Sequence, residues 1–377
     1  MYIVGAGRTK FGELDTSLEG LAYDAISKAI DDSNVSVRDI EAIYVSNFLG
    51  GPVNGQLHLN SMISSLIPGC NIPIVRVETA CASSSSAMNQ AIIALSKFSN
   101  ILVLGVEKLS GPSLIPQIDA IAMAENRTIE KENGLIFPAA YALIAQQYFK
   151  KYGISHEVLE QISYINHQNA NRNPLAHFFQ KNVTLDMIRS SRMISTPLNL
   201  FDCSPMSDGA VAMVITDKKK TDRDVKILSS QIATDTISIP ERKDLTTFKA
   251  TKIAAQKAYR EAGLTPKKID LFEVHDCFTI GELIALEDLG LCECGSACHL
   301  VEDGRISIEG DFPVNTDGGL KANGHPIGAT GLAQIYEIVT QIRGEADQRQ
   351  VVDADYGLAQ NIGGIGGTCG ITILGCL

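Results

Sequence analysis

The chain has 377 residues, enough for two or three domains, and its 45% hydrophobic and 20% charged content is that of a globular protein with a sizeable core. The net charge of −11 argues against a nucleic-acid-binding surface. Nine scattered cysteines, no 18-residue apolar run and no secretory leader point to reduced thiols in a cytoplasmic, non-membrane protein.

The chain opens on apolar Ile3-Val4, and Ala22, Ala25, Ala29 and Ile30 then mark one helical face. A connector from Asn34 leads to the strand-like Ala42-Ile43-Tyr44-Val45. The apolar stretch Ile74-Val75-Arg76-Val77-Glu78-Thr79-Ala80 ends at Cys81, which opens the small-residue run Ala82-Ser83-Ser84-Ser85-Ser86-Ala87. Met88, Ala91, Ile92 and Leu95 recur behind it at helical spacing. This is the pattern of a strand delivering a thiol to a helix N-terminus, where the dipole favours thiolate. By itself it admits both a nucleophile and a buried structural cysteine.

Residues 112–194 have a different texture, rich in helix formers and amides, and read as a helical insertion. The chain returns through Pro197-Leu198-Asn199-Leu200-Phe201 to the strand-like Ala210-Val211-Ala212-Met213-Val214-Ile215. The charged run from Asp217 to Asp224 reads as a solvated linker. Beyond it Ile253, Ala254, Ala258 and Tyr259 mark a second helix, followed by the connector Gly263 to Asp270 and the strand Leu271-Phe272-Glu273-Val274. Ala25 aligns with Ala254, Ala29 with Ala258, Ile40 with Ile269 and Val45 with Val274 at one constant offset. Two duplicated α/β halves are therefore expected: residues 1–111 with 195–222, and residues 223–377, with 112–194 as a loop domain between them.

Three segments of the second half carry chemistry. His275-Asp276-Cys277-Phe278 lies just past a strand, where open α/β sheets place their sites, although a metal pair or a core histidine fits the same spacing. In Asn323-Gly324-His325-Pro326-Ile327-Gly328-Ala329-Thr330-Gly331 the histidine is clamped between glycine and proline, which suits a positioned base. Asn361-Ile362-Gly363-Gly364-Ile365-Gly366-Gly367 exposes backbone N–H groups to a ligand. Cys292, Cys294, Cys298 and His299 fit no common zinc-ribbon spacing and read as loop residues. His58, His156, His167 and His177 are assigned to the surface or the loop domain, and Cys70, Cys203 and Cys376 to the core.

With these motifs in order, the sequence resembles the thiolase family over essentially its whole length. Val77-Glu78-Thr79-Ala80-Cys81-Ala82-Ser83-Ser84 resembles the nucleophile motif, Asp202 to Ala210 the return into the first half, and Asn323 to Gly331 the histidine motif. The resemblance implies the α/β thiolase fold: two βαβαβαββ halves packed as α-β-α-β-α layers with a helical loop-domain insertion. His275-Asp276-Cys277-Phe278, together with Asn361 where many members carry a loop cysteine, is similar to the archaeal and sterol-carrier-linked branches. In those branches the cysteine of the first motif takes over proton transfer, which assigns the acid/base role to Cys277 and leaves Cys369 structural.

By that resemblance His325 takes a proton from Cys81, whose thiolate accepts an acyl group from coenzyme A. Cys277 then removes the α-proton of a second acetyl-CoA. His325 and a water on His275 hold the enolate, and the backbone N–H groups of Cys81 and Gly363 hold the acyl oxyanion. No metal and no tightly bound cofactor is implied. The expected function is acetyl-CoA C-acetyltransferase, forming acetoacetyl-CoA and CoA for isoprenoid (mevalonate) synthesis in an archaeal cytoplasm. The alternatives are a degradative 3-ketoacyl-CoA thiolase of longer chain preference and a non-catalytic acyl-CoA-binding scaffold. A homodimer or homotetramer is expected. So is a complex with 3-hydroxy-3-methylglutaryl-CoA synthase and a small zinc-ribbon protein.

Overall fold

The computed structural model describes every residue except Pro68, Cys70 and Leu377, so the core assignment of Cys70 lies outside the described residues. The first half runs β1 (Tyr2–Arg8), α1 (Leu18–Asp32), β2 (Ala42–Ser46), α2 (Leu59–Leu66), β3 (Ile74–Val77), α3 (Ser83–Ala94) and β4 (Asn100–Glu107). An inserted segment follows with α4 (Gln117–Ile121), α5 (Phe137–Tyr152), α6 (Glu157–Ala170), α7 (Leu185–Arg189) and a small hairpin, β5 (Met193–Ser195) and β6 (Leu198–Asn199). The chain then returns as β7 (Gly209–Thr216), which pairs with both β4 and β1.

The second half repeats this plan with β8 (Val225–Thr234), α8 (Lys249–Ala262), β9 (Leu271–Glu273), α9 (Thr279–Asp288), α10 (Ala297–Glu302), α11 (Gly319–Asn323), α12 (Thr330–Ile342), β10 (Tyr356–Gly363) and β11 (Thr368–Gly375). In hydrogen-bonding order the strands run β3-β2-β4-β7-β1-β8-β11-β10-β9. Read outward from the β1–β8 junction, β7, β4 and β2 correspond to β11, β10 and β9. The counterpart of β3 is shortened to one parallel bridge between Phe272 and Val314.

The alignment read from sequence matches the elements. Short 3-10 turns at Val37–Asp39 and Pro266–Lys268 follow α1 and α8 and precede β2 and β9. Ala25, Ala29, Ala254 and Ala258 are all fully buried, because each small face lies directly on the strands of its own half.

Helices α3 and α12 lie side by side and touch strands of both halves, forming the middle layer, while α1 and α8 cover the outer faces. Met88, Leu332, Ile335 and Ile338 are fully buried in this layer, each contributing roughly 1.5–3 kcal/mol. The serines of α3 allow the close approach. Ser84 Oγ accepts from the Leu332 N–H of α12 at 3.1 Å, and Ser85 Oγ donates to the Ala82 carbonyl at 2.9 Å. Because both middle helices begin at the same end of the sheet, the residues just ahead of them, Cys81 and His325, come together.

Candidate active site

Cys81 follows β3 through Ala80, which holds a positive φ of 52°. A residue with a Cβ pays about 1–2 kcal/mol there. The turn is held by Ser83, whose Oγ accepts from the Thr79 N–H at 2.9 Å and donates to the Ala80 carbonyl. Cys81 is 6% exposed, and burial pushes its thiol up to about 12, with the Glu107 carboxylate adding to the rise. The backbone N–H groups of Gly364 and of Cys81 itself pull the other way. The resting thiolate expected at the helix start therefore gives way to a neutral thiol, since desolvation of the charge outweighs the local dipoles.

His325 is held just beyond α11. Its Nδ1 lies 2.7 Å from Thr330 Oγ1, and that hydroxyl donates to the Pro326 carbonyl at 3.0 Å. The hydroxyl proton being committed, His325 Nδ1–H is the donor and Nε2 keeps its lone pair. Burial lowers this imidazole to about 3, so it stays neutral.

His275 has the opposite arrangement. Asn361 Nδ2 donates to His275 Nδ1 at 3.2 Å, which leaves the proton on Nε2, and that buried atom has no partner among the described residues. Burial, then the neighbouring His325, lowers His275 well below the usual range. The two rings meet edge to face with centroids 5.3 Å apart. Cys81 Sγ and one nitrogen of each ring all lie within 4.8 Å of one another. One imidazole thus offers a base and the other a hydrogen-bond donor to the same small volume.

Cys277 completes the set. It is 5% exposed and lines one cavity of ≈ 230 Å³ with Cys81, His325, Phe278, Met206 and Ile118. Burial raises its pKa well above the ordinary thiol value, and a charge on Cys81 raises it further. The two thiols consequently resist being ionised together. Cys369 lies elsewhere, fully buried on β11, where Thr251 Oγ1 of α8 donates to its sulfur at 3.4 Å.

The glycine loop adds a contact to the resting thiol. The N–H that faces the Cys81 sulfur is that of Gly364, one residue beyond Gly363. Gly363 passes close beneath, since a Cβ there would lie 2.4 Å from the Thr79 carbonyl oxygen.

Carboxylates brace these segments. Glu107 accepts from Asn47 Nδ2 at 2.8 Å and from the N–H groups of Phe48, Leu49 and Gly328 at 2.9, 3.0 and 2.9 Å. It ties the end of β4 to the loop after His325. Asp276 accepts from the Leu320 N–H at 2.6 Å and from Asn166 Nδ2 at 2.9 Å, joining the His275–Cys277 turn to α11 and to the inserted α6. Beneath them Lys321 is 1% exposed, with His167 Nε2 at 3.4 Å and the rings of Phe178 and Phe201 at 5.6 and 5.4 Å.

Several assignments change. Cys203, read as core, lines the cavity, and its neighbour Ser204 donates its N–H to the Cys277 carbonyl at 2.9 Å. Cys376 is only partly buried beside Asp355. His167 and His58 keep theirs: His167 is buried on α6 within residues 112–194, and His58 is exposed. Cys292, Cys294, Cys298 and His299 do not gather as a donor set among the described residues; Lys252 Nζ reaches Cys294 at 3.9 Å and His299 pairs with Glu302 at 3.6 Å. Tyr141 and Asn361 were not singled out as site residues. Both belong to it through contacts between segments distant in sequence.

Comparison with known proteins agrees with this architecture. Residues 1–197 match the model of the thiolase N-terminal domain, and residues 232–376 match that of the thiolase C-terminal domain-like family. The chain is 43% identical to an acetyl-CoA acetyltransferase of Methanothermobacter thermautotrophicus over 378 residues, covering 98% of each protein. It is 41% identical to an acetyl-CoA acetyltransferase of Methanocaldococcus jannaschii over 386 residues, covering 99% of this chain and 98% of that one. A solved structure described as an Ltp2–ChsH2(DUF35) aldolase superposes with a TM-score of 0.87 at 24% identity, covering 100% of this chain and 97% of the other, and shares the fold. With one family model on each duplicated half and full-length relatives above 40% identity, this chain belongs to the thiolase family of acyltransferases.

Proposed function

We propose that the protein is an acetyl-CoA C-acetyltransferase that condenses two acetyl-CoA molecules through an acyl group carried on Cys81. The observation that carries this reading is the convergence of Cys81, Cys277 and His325 on one apolar cavity, with the oppositely protonated imidazole of His275 within 4.8 Å of Cys81 and His325. The names of the archaeal relatives supply the substrate.

The proton inventory closes over these four groups. The Cys81 proton passes to His325 Nε2 as sulfur attacks the acetyl carbonyl, and the bond from carbonyl carbon to CoA sulfur breaks. Cys277 gives its proton to the departing CoA sulfur. Once acylated, Cys81 can no longer ionise, so no thiolate there competes with ionisation of Cys277. The Cys277 thiolate then takes a methyl proton from the second acetyl-CoA. The enolate oxygen faces the imidazolium of His325 and the Nε2–H of His275, two fixed donors in a dry site. The enolate carbon bonds to the acyl carbon within one complex, which removes the entropic cost of a further encounter. The carbon–sulfur bond to Cys81 breaks, His325 returns the proton to Cys81, and acetoacetyl-CoA leaves.

The test compares two variants with acetyl-CoA. Cys81→Ala is expected to show no acetyl adduct by intact mass and no acetoacetyl-CoA. Cys277→Ala is expected to acquire the adduct yet form no carbon–carbon bond. Normal turnover in either would refute the scheme. Preference for longer 3-ketoacyl-CoA thiolysis over the acetoacetyl substrate would instead favour the degradative reading.

An archaeal cytoplasmic role in mevalonate synthesis follows from the same relatives as part of this proposal. A complex with 3-hydroxy-3-methylglutaryl-CoA synthase and a small zinc-ribbon protein is proposed with it. It is supported by the uncovered apolar mouth of the cavity, where Ile118 and Met206 are 57% and 52% exposed. Failure of the co-expressed proteins to co-purify would count against that assembly.

A further inference from the structure

The inserted segment supplies one group that the proton inventory does not use. Tyr141, on α5, is 1% exposed, and its ring stacks on Phe278 with centroids 4.5 Å apart and planes at 25°. The stack sets the phenol hydroxyl between two parts of the site. The hydroxyl donates to the carbonyl of Gly364 at 3.4 Å, the residue whose N–H faces Cys81, and it lies close enough to the Cys277 thiol for each to shift the other's ionisation.

A phenol has one proton to donate. Beside a neutral thiol the Gly364 carbonyl is the better acceptor. Beside a thiolate the charged sulfur is, because a hydrogen bond to an ionised acceptor is roughly twice as strong. We propose that Tyr141 is a positioning residue for Cys277: its hydroxyl turns from the Gly364 carbonyl to the Cys277 sulfur as that sulfur ionises, and steadies the thiolate for α-proton removal. This inference rests on the reading of Cys277 as the acid/base. Tyr141 donates a hydrogen bond and transfers no proton, since burial keeps the phenol protonated. The other charges felt at this pair are those of Cys81 and Asp276, which oppose a Cys277 thiolate, and the Arg242 guanidinium near the phenol.

The arrangement also gives the insertion a part in the chemistry. It carries the donor on a rigid helix while the second half carries the acceptor, so the pair forms only when the two segments are docked.

Tyr141→Phe removes the hydroxyl and keeps the ring. The test measures exchange of acetyl-CoA methyl protons with deuterated solvent against pH, and in parallel the rate of Cys81 acetylation by intact mass. Acetylation, in which Cys277 only protonates the departing CoA sulfur, is expected to slow severalfold at most, well short of the effect on exchange. Exchange is expected to slow about ten- to hundredfold near neutral pH. The sign follows from the donor: losing a hydrogen bond that favours the thiolate raises the Cys277 pKa, so the rising limb of exchange moves up by about one to two pH units.

Cys277→Ala is the reference. If it retains exchange, the assignment of Cys277 fails and the role of Tyr141 fails with it. If Cys277→Ala loses exchange while Tyr141→Phe leaves rate and limb unchanged, only the Tyr141 inference is overturned. Equal slowing of acetylation and exchange with an unmoved limb marks the hydroxyl as structural support alone, and overturns it too.

Discussion

Thr330→Val tests the tautomer on which acylation depends. Thr330 Oγ1 is the only hydrogen-bond partner of His325 Nδ1 among the described residues, at 2.7 Å, and the two residues are 2% and 8% exposed. Valine has nearly the same shape, so the change deletes the acceptor and the hydroxyl's bond to the Pro326 carbonyl, which keeps the Ala329 N–H at 2.8 Å. An imidazole N–H left buried without a partner costs about 1–3 kcal/mol. The ring can avoid that cost by moving its proton to Nε2, but it then has no lone pair to offer Cys81. Either route raises the barrier to acylation by a similar amount, which is about a five- to 150-fold loss of rate. Single-turnover release of CoA from acetyl-CoA measures the step directly. Acylation within twofold of wild type would show that Thr330 does not set the proton position, and the base assignment of His325 Nε2 would have to be withdrawn.

Gly331→Ala is expected to disable condensation, because its Cβ would lie 2.4 Å from Asn361 Oδ1 and displace the amide that orients His275; deuterium exchange into acetyl-CoA reads this, and wild-type exchange would contradict it. Glu107→Gln replaces an oxygen that accepts two N–H groups, with an expected loss of about 2–4 kcal/mol in urea unfolding; a change below 1 kcal/mol, approximately one net hydrogen bond, would contradict it. Burial holds His325 near 3, and a base acts above its pKa, so the acylation rate is expected to be flat from about pH 5 to 8. A falling acid limb centred between pH 6 and 7, the range of about 6.5 for an unperturbed imidazole, would refute that. Cys369→Ala is expected to keep condensation within about threefold, since its partner is Thr251 on the outer layer; loss of condensation with acylation intact would move the acid/base role to it.

The duplication was legible because its signal is local and periodic. Small residues at 25 and 29, and again at 254 and 258, sit where a helix must approach a sheet, and apolar runs at 42–45 and 271–274 follow each. Cys81 and His325 were legible for a related reason: each stands ahead of a helix in a segment of very small residues, a composition that ordinary loops do not need. Cys277 was legible only by resemblance, because a thiol past a strand has several uses.

Other features required the tertiary structure. A helix start argues for a thiolate at Cys81, but burial and the charge of Glu107 come from other segments and reverse the balance. Asn361 read as the place of a missing cysteine and is the donor that fixes His275. Tyr141 sat among ordinary helix formers, and Cys203 looked like core.

The physical division is between short-range and long-range order. Periodicity, residue size and backbone freedom act over a few residues, so the sequence by itself determined the elements, the repeat and the residues able to react. Protonation states and tautomers depend on desolvation and on hydrogen bonds between segments far apart in the chain, and only the packed tertiary structure decided them.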